Sequence, residues 1–313
     1  MPRKQRTNKS SNTKQGSANN SADNQSRLAQ RPSGDSGVGF PPHLLRSYNH
    51  SHSAYEYEND PSDALETLVP NAVFVARNAL SSKECQEWIA YAEDGNRWDA
   101  VSHPATKWIA HRECGRIQKN DWNMSHRLYE RIQSTVEMVS PQLGIFDKAT
   151  LQPNGVKCNS TNKSGSSQPK YKPVSCNPNL RLYKYTKGQW FGRHVDGTNK
   201  IDFNDGDNPP ISASDVKEAQ TEITVLFYLS SCRGGATRFH LPQQGKRKKG
   251  GSSGIAFTPE EGAVLLHVHG DRCLEHEAEP VLDGVKYGER GMFGLYGVQY
   301  VWFDYIESIF EHC

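Results

Sequence analysis

The sequence predicts a mainly β fold, a double-stranded β-helix (jelly roll) with flanking α-helices, on two sets of observations. From Thr221 onward the chain is a succession of short β-rich runs (221–229, 235–241, 255–258, 262–269, 275–281 and 286–303) separated by glycines and polar turns. With the strand that ends at His194 they make about seven or eight strands, the number a jelly roll requires. Ahead of them lie two stretches whose apolar residues recur at helical spacing.

The elements follow in chain order. Residues 1–65 are rich in Asn, Ser, Gln, Lys and Gly with almost no apolar periodicity, so they cannot bury enough surface to offset the cost of ordering. A disordered tail is expected there, and a single domain over 66–313. Within the tail, Pro2-Arg3-Lys4-Gln5-Arg6 reads either as a nuclear signal or as a solvated end. Residues 68–76 read as one short strand entering the domain. Ser81 followed by Glu84 forms a capping box for a helix whose Cys85, Trp88, Ile89 and Ala92 share a buried stripe. A second helix opens at Asn120 or Asp121, with Met124, Leu128, Ile132 and Val136 at four-residue steps.

Three exposed insertions are expected. Near 153–172 the composition turns to Asn, Ser, Gly, Lys and Pro just before the strand that carries His194. Residues 197–220 are polar and include Asn204-Asp205-Gly206-Asp207-Asn208-Pro209-Pro210, a loop by every local signal. Such length next to Asp196 reads as a substrate lid or as a plain variable insertion. The third, 242–254, holds the basic run Lys246-Arg247-Lys248-Lys249 without the interleaved aromatics on which nucleic-acid bases would stack, and reads as a solvated hairpin tip.

Composition narrows the class. Of 313 residues 35% are hydrophobic, low for a globular chain, consistent with part of it lying outside any core. A formal net charge of +2 gives no reason to expect a nucleic-acid or acidic partner. The seven cysteines (85, 114, 158, 176, 232, 273 and 313) are odd in number and lack a Cys-X-X-Cys pair, so neither a disulfide framework nor a zinc ribbon is suggested and a reducing compartment fits. A Cys158–Cys176 disulfide is conceivable but not expected there. The first 30 residues hold no apolar run of signal-peptide type, and no segment approaches the roughly 18 apolar residues of a membrane helix. A soluble cytoplasmic protein, with the nucleus left open, is the expectation.

The chemistry concentrates in 179–196, which ends in His194-Val195-Asp196. In an extended chain alternate side chains share a side, so His194 and Asp196 can reach one metal ion. A second imidazole must come from elsewhere, and His276 is the candidate. Two His and one carboxylate on one face of an octahedral ion leave positions open, as in non-haem Fe(II) oxygenases. His267 and His269 also share a strand face and compete for the metal, but their run reads as a buried strand whose imidazoles hydrogen bonds can satisfy. His240, at a strand end, reads as structural.

Tyr185-X-X-Gly188 before His194-X-Asp196, then His276 followed by Pro280-Val281-X-X-Gly284-X-Lys286, resembles the Fe(II)- and 2-oxoglutarate-dependent dioxygenases, in their prolyl 4-hydroxylase-like branch. The resemblance spans about 73–303, although only these two segments are specific. It implies iron on His194, Asp196 and His276, and 2-oxoglutarate held by Lys286 with Tyr185 and Tyr228 around it. It implies decarboxylation of 2-oxoglutarate to succinate and CO2 coupled to hydroxylation, with L-ascorbate as the reductant that rescues oxidised iron. The substrate implied is a protein or peptide, proline first. Open alternatives are the same chemistry on alkylated nucleic acid or a small molecule, and a non-catalytic metal-binding interaction module. Alkylation-repair dioxygenases share the Tyr-X-X-Gly run but place Arg after the distal His and lack Pro-Val-X-X-Gly-X-Lys. The chain departs from the family pattern at Ala278, where Gly is usual, and at Ala236, where Glu is frequent. Both departures bear on the substrate side.

Overall fold

Strands that frame the candidate site are laid down alternately in two antiparallel sheets. A computed structural model describes residues 39–46, 65–95, 97–143, 175–202, 218–242 and 254–291. A hairpin of β1 (Leu65–Val69) and β2 (Val73–Ala76) leads to helix α1 (Ser82–Glu93), the strand pair β3 (Asp99–His103) and β4 (Arg112–Asn120), and helix α2 (Trp122–Val139). Then come β5 (Asn179–Tyr185), β6 (Phe191–His194), β7 (Lys200–Asp202), β8 (Glu218–Gln220), β9 (Ile223–Tyr228), β10 (Arg233–Gly234), β11 (Thr237–His240) and β12 (Gly254–Phe257). The last are β13 (Val264–Val268), β14 (His276–Ala278), β15 (Val281–Asp283) and β16 (Lys286–Gly291).

Pairing runs β5-β16-β9-β13 in one sheet and β6-β14-β11-β12 in the other. Along the chain these eight strands go first sheet, second, first, second twice, first, second, first, which is the winding of a jelly roll. The fold class is therefore the expected one. The first sheet is widened by β2 and β1 beyond β13 and by β4 and β3 beyond β5, and β4 also pairs with β6 at Arg112–Phe191, so that the two layers are one sheet folded over on itself at β4. The pairs β7–β8 and β10–β15 stand apart.

Both helices form where the sequence places them. Ser81 accepts from the Glu84 amide while the Glu84 carboxylate reaches back to the Ser81 amide, satisfying two end donors reciprocally. Cys85, Trp88 and Ala92 are buried in α1, and Met124, Leu128, Ile132 and Val136 in α2, where Asp121 caps the Met124 amide. They share one hydrophobic core with Leu180 and Leu182 of β5, Val225 and Phe227 of β9, and Leu265 and Leu266 of β13. On β5, alternation then turns Tyr183 and Tyr185 to the other face of the sheet, into the cavity.

Several local expectations are corrected. Residues 68–76 are not one strand but a hairpin, because Pro70 has no amide for a ladder and Asn71 takes a left-handed φ of 59°. Strands β3 and β4 carry no apolar alternation that could announce them, yet β4 pairs with β5 over 115–120. The run 275–281 breaks into β14 and β15 around Pro280. The ends of the 197–220 loop close into the β7–β8 pair, while 203–217 lies outside the described residues. Residues 39–46 of the expected tail pack on the core, with Phe40, Leu44 and Leu45 buried. The rest of that tail, the 153–172 insertion, the basic run of the 242–254 insertion and the continuation of the last strand to 303 also lie outside the described residues. Among the described residues no disulfide occurs, and no helix is long and apolar enough to cross a membrane.

Candidate metal centre and cosubstrate pocket

His194 ends β6 and His276 opens β14, and the register of these antiparallel neighbours sets the two residues directly opposite each other. Cross-strand partners of this kind have side chains close enough to touch, and the imidazole centroids are 4.3 Å apart. Asp196 follows two residues after His194 and points to the same side. His194 Nε2 lies 3.6 Å from Asp196 Oδ1, and His276 Nε2 lies 3.7 Å from Oδ2. Ligand atoms of the three residues all fall within 4.8 Å of one another.

The imidazoles are oriented by their far nitrogens. His194 Nδ1 donates to Gly192 O and His276 Nδ1 to Leu274 O, each at 2.8 Å. A ring that donates from Nδ1 to a carbonyl presents an Nε2 lone pair at the opposite corner, the tautomer a metal requires. Asp196 is 6% exposed, so its charge sits where only a cation or hydrogen-bond donors can balance it. Two neutral nitrogens and one carboxylate oxygen converging in this way could hold a divalent transition metal and leave coordination positions open.

The two segments are shaped for this by their glycines. Gly188, at φ +87°, makes the turn between β5 and β6, and Gly284, at φ +80°, the turn into β16. Both conformations are disfavoured for residues with a Cβ. The second turn delivers Lys286 opposite Tyr185 in the β16–β5 ladder. Lys286 is 7% exposed and donates to Gly235 O at 2.7 Å, with the rings of Tyr228 and Tyr185 5.5 and 5.8 Å from its Nζ. Burial pushes its ammonium down to about 8, against the weaker opposing pull of Cys232 and Glu279. Tyr228 bonds Thr237 Oγ1 at 2.7 Å, and burial pushes its phenol up.

A pocket of about 560 Å³, counting the solvent-open space at its mouth, has His194, Asp196, His276, Lys286, Tyr185 and Tyr228 all in its wall. The six residues that sequence reasoning singles out are thus brought together. Others it did not anticipate. Arg112, at the start of β4, is 9% exposed, lies 3.5 Å over the Phe191 ring and 3.4 Å from the Tyr183 hydroxyl, and also lines the cavity. Its Nε meets no hydrogen-bond partner among the described residues. No sequence signal marks it, since its run is mostly polar, with Cys114 and Ile117 three residues apart rather than alternating.

His267 and His269 part company. His269 bonds Thr224 and Thr221 through its two nitrogens, the satisfied arrangement expected of a buried imidazole. His267 turns to the cavity, its Nε2 3.6 Å from Asp196 Oδ2 and its ring edge-on to His276. It also makes a second donor cluster with Cys273 and His276. His276 is shared by both clusters, and Cys273 Sγ lies on its Nδ1 side, 3.9 Å from the nitrogen that Leu274 O engages. His240 pairs with Glu277 at 2.9 Å, apart from both clusters.

No protein-family model matches the chain, and no curated protein does. Among solved structures it is similar to the viral collagen prolyl hydroxylase of Paramecium Bursaria Chlorella virus-1 in its 2OG complex, at 16% identity over 70% of this chain and 93% of that one, with a TM-score of 0.39. A Pseudomonas putida prolyl-4-hydroxylase gives 11% identity over 71% and 92%, TM-score 0.40. A Trichoplax adhaerens prolyl hydroxylase, in complex with a hypoxia inducible factor peptide fragment, gives 15% over 73% and 84%, TM-score 0.41.

Proposed function

We propose that the protein is an Fe(II)- and 2-oxoglutarate-dependent dioxygenase that hydroxylates a peptidyl residue, with proline the first candidate. The observation that carries this reading is the convergence of two imidazoles, one carboxylate and a buried ammonium on one cavity. A buried lysine whose one hydrogen bond among the described residues goes to a carbonyl is costly in a protein that never meets an anion, and a dicarboxylate reaching from the metal would complete it. When bound, iron and 2-oxoglutarate supply oxygen activation, with succinate and CO2 as co-products. L-Ascorbate is the proposed reductant that restores oxidised iron.

The chain's own residues do the positioning. His194 and His276 keep their protons on Nδ1 and offer Nε2 to the metal. Asp196 supplies the single negative charge. Lys286 holds the distal carboxylate of 2-oxoglutarate, and Tyr185 and Tyr228 wall that end of the cavity with aromatic surface that excludes water. Peptide as the substrate class rests on the sequence pattern from Pro280 to Lys286.

The test is succinate formation from 2-oxoglutarate with purified protein and Fe(II), followed by mass spectrometry of proline-containing peptides for the gain of one oxygen. His194→Ala, Asp196→Ala and His276→Ala are each expected to abolish succinate formation. Full turnover by Asp196→Ala would refute the assignment, because that change removes the only anionic ligand. Absence of succinate from the unmodified protein would leave a non-catalytic metal-binding module as the better description.

A further inference from the structure

A continuous chain of hydrogen bonds leads from the base of the β7–β8 pair to Asp196. Asn199 N–H meets Thr221 Oγ1 at 2.7 Å, Thr221 Oγ1 meets His269 Nε2 at 2.8 Å, His269 Nδ1 meets Thr224 Oγ1 at 3.0 Å, and Thr224 Oγ1 meets Asp196 Oδ2 at 2.9 Å. Thr221 and Thr224 are fully buried and His269 is nearly so. None of these links passes through His194 or His276.

The carboxylate end fixes the protons nearest to it. An amide N–H only donates, so Thr221 accepts from Asn199, which leaves its own proton for His269 Nε2 when the ring is neutral. An ionised carboxylate only accepts, so Thr224 spends its single proton on Asp196 Oδ2 and must accept from His269. His269 therefore carries a proton on Nδ1, and the ring links the base of the β7–β8 pair to the carboxylate. The origin is itself tied down, since Thr221 N donates back to Asn199 O at 2.9 Å. The Asp196 backbone is held too, its amide donating to Cys273 Sγ at 3.3 Å and its carbonyl accepting from Gly270 N at 2.8 Å.

We infer that Thr224 and His269 are positioning residues for the metal centre: their relay engages Oδ2 and fixes the carboxylate plane, so that Oδ1, the oxygen beside His194 Nε2, is the one offered to the ion. The inference rests on the metal-centre reading above. One-oxygen ligation matters because a carboxylate free to swing could chelate through both oxygens and occupy a position that the cosubstrate needs.

The test is Co(II) binding to the full chain, read as a dissociation constant and as the visible ligand-field spectrum, with thermal unfolding as the check on folding. Thr224→Val keeps the shape and removes the hydroxyl, while Thr224→Ser keeps the hydroxyl. Thr224→Val is expected to weaken Co(II) binding about ten- to hundredfold and to alter the spectrum, with Thr224→Ser within about threefold of the unmodified protein. Thr221→Val, which breaks the relay two hydrogen bonds from the carboxylate, should shift affinity in the same direction by less. Unchanged affinity and spectrum in a folded Thr224→Val, or equal weakening by Val and Ser, overturns the relay. If Thr224→Val does not fold, Thr221→Val decides, and unchanged binding there overturns it as well. Failure of the unmodified protein to bind Co(II) at all would instead refute the metal centre.

Discussion

At the scale of single residues, Lys286 makes the strongest quantitative claim. Its ammonium sits at about 8 in the protein alone, lowered by burial, whereas the carboxylates of 2-oxoglutarate stay ionised throughout the neutral range. Below that pH the cation is already present and affinity should be flat. Above it each bound cosubstrate must first recruit a proton to Lys286, so affinity should fall by up to about tenfold per pH unit. Lys286→Ala should lose roughly ten- to hundredfold in 2-oxoglutarate affinity, the value of a charge-assisted pair of about 1.5–3 kcal/mol, and lose the pH inflection with it. The concentration dependence of succinate formation across pH measures both, and an inflection that survives in Lys286→Ala would assign the titration to another group. Arg290, four residues on, pairs through its backbone with Arg181 rather than Tyr185, a register that sets it away from the Tyr185 end of the strand. Arg112 is the second cation of the cavity. Arg112→Met should spare peptide-independent decarboxylation and reduce peptide hydroxylation by about tenfold or more, if its guanidinium meets the substrate with a charged hydrogen bond. Equal loss of both activities would place it on the cosubstrate side instead. His194 and Asp196 were legible as neighbours because period-two alternation needs no knowledge of the fold. Arg112 was not, and His267, read with His269 as a competitor satisfied by hydrogen bonds, turned to the cavity instead, since both approaches depend on which strands lie side by side.

At the scale of elements, the helices were readable and the polar strands were not. Capping chemistry and four-residue spacing are local, so α1 and α2 announce themselves. Strands β3 and β4 exist because β5 offers β4 an edge to pair with, and nothing in Asp99–His103 or Arg112–Asn120 encodes that partner. The joint between the helices is the buried pair Arg131–Glu84, with contacts at 2.9 and 3.0 Å and both side chains almost wholly inaccessible. Glu84 also completes the α1 capping box, and Arg131 donates to the carbonyls of Ala79 and Arg46. Arg131→Met leaves a carboxylate buried without its cation and is expected to cost about 3–5 kcal/mol. Glu84→Gln combined with Arg131→Met removes both charges while Gln still serves the capping box, so the double variant should lose less than the two single changes added together. Denaturant unfolding of the three variants checks this, and strict additivity would mean that the pair does not act as a unit.

At the scale of the whole molecule, the winding of eight strands was legible from the count and spacing of β-rich runs, but the edge of the domain was not. Composition alone sets that edge near residue 66, because the stretch before it lacks periodicity. The segment 39–46 is too short to show any period, yet it carries Phe40, Leu44 and Leu45 into the core. Phe40 packs on Trp88 and Tyr91 with ring centroids at 5.2 and 5.7 Å, and its amide donates to Asp121, the cap of α2, at 2.6 Å. Arg46 N donates to Glu84 at 3.1 Å, and Arg127 bonds the carbonyls of Pro42 and Leu45. One short segment therefore bridges the N-terminal ends of both helices and covers their buried ion pair. Removal of residues 1–38 should leave the melting temperature within a degree or two, about the shift expected from less than 1 kcal/mol in a domain of this size. Removal of residues 1–46 should lower it much further. Three buried apolar side chains go at once, each worth about 1.5–3 kcal/mol, and Arg131 and Glu84 lose partners on the exposed side. Leu44→Ala within the full chain isolates the packing part at roughly 2–5 kcal/mol, or some 4–20 °C at about 2–4 °C per kcal/mol. Because the segment touches the helices and not the cavity wall, succinate formation per folded molecule should persist in Leu44→Ala below its melting point. Equal melting temperatures for the two truncations would show that the core closes without the segment, and loss of turnover in folded Leu44→Ala would tie it to the cavity rather than to the helices.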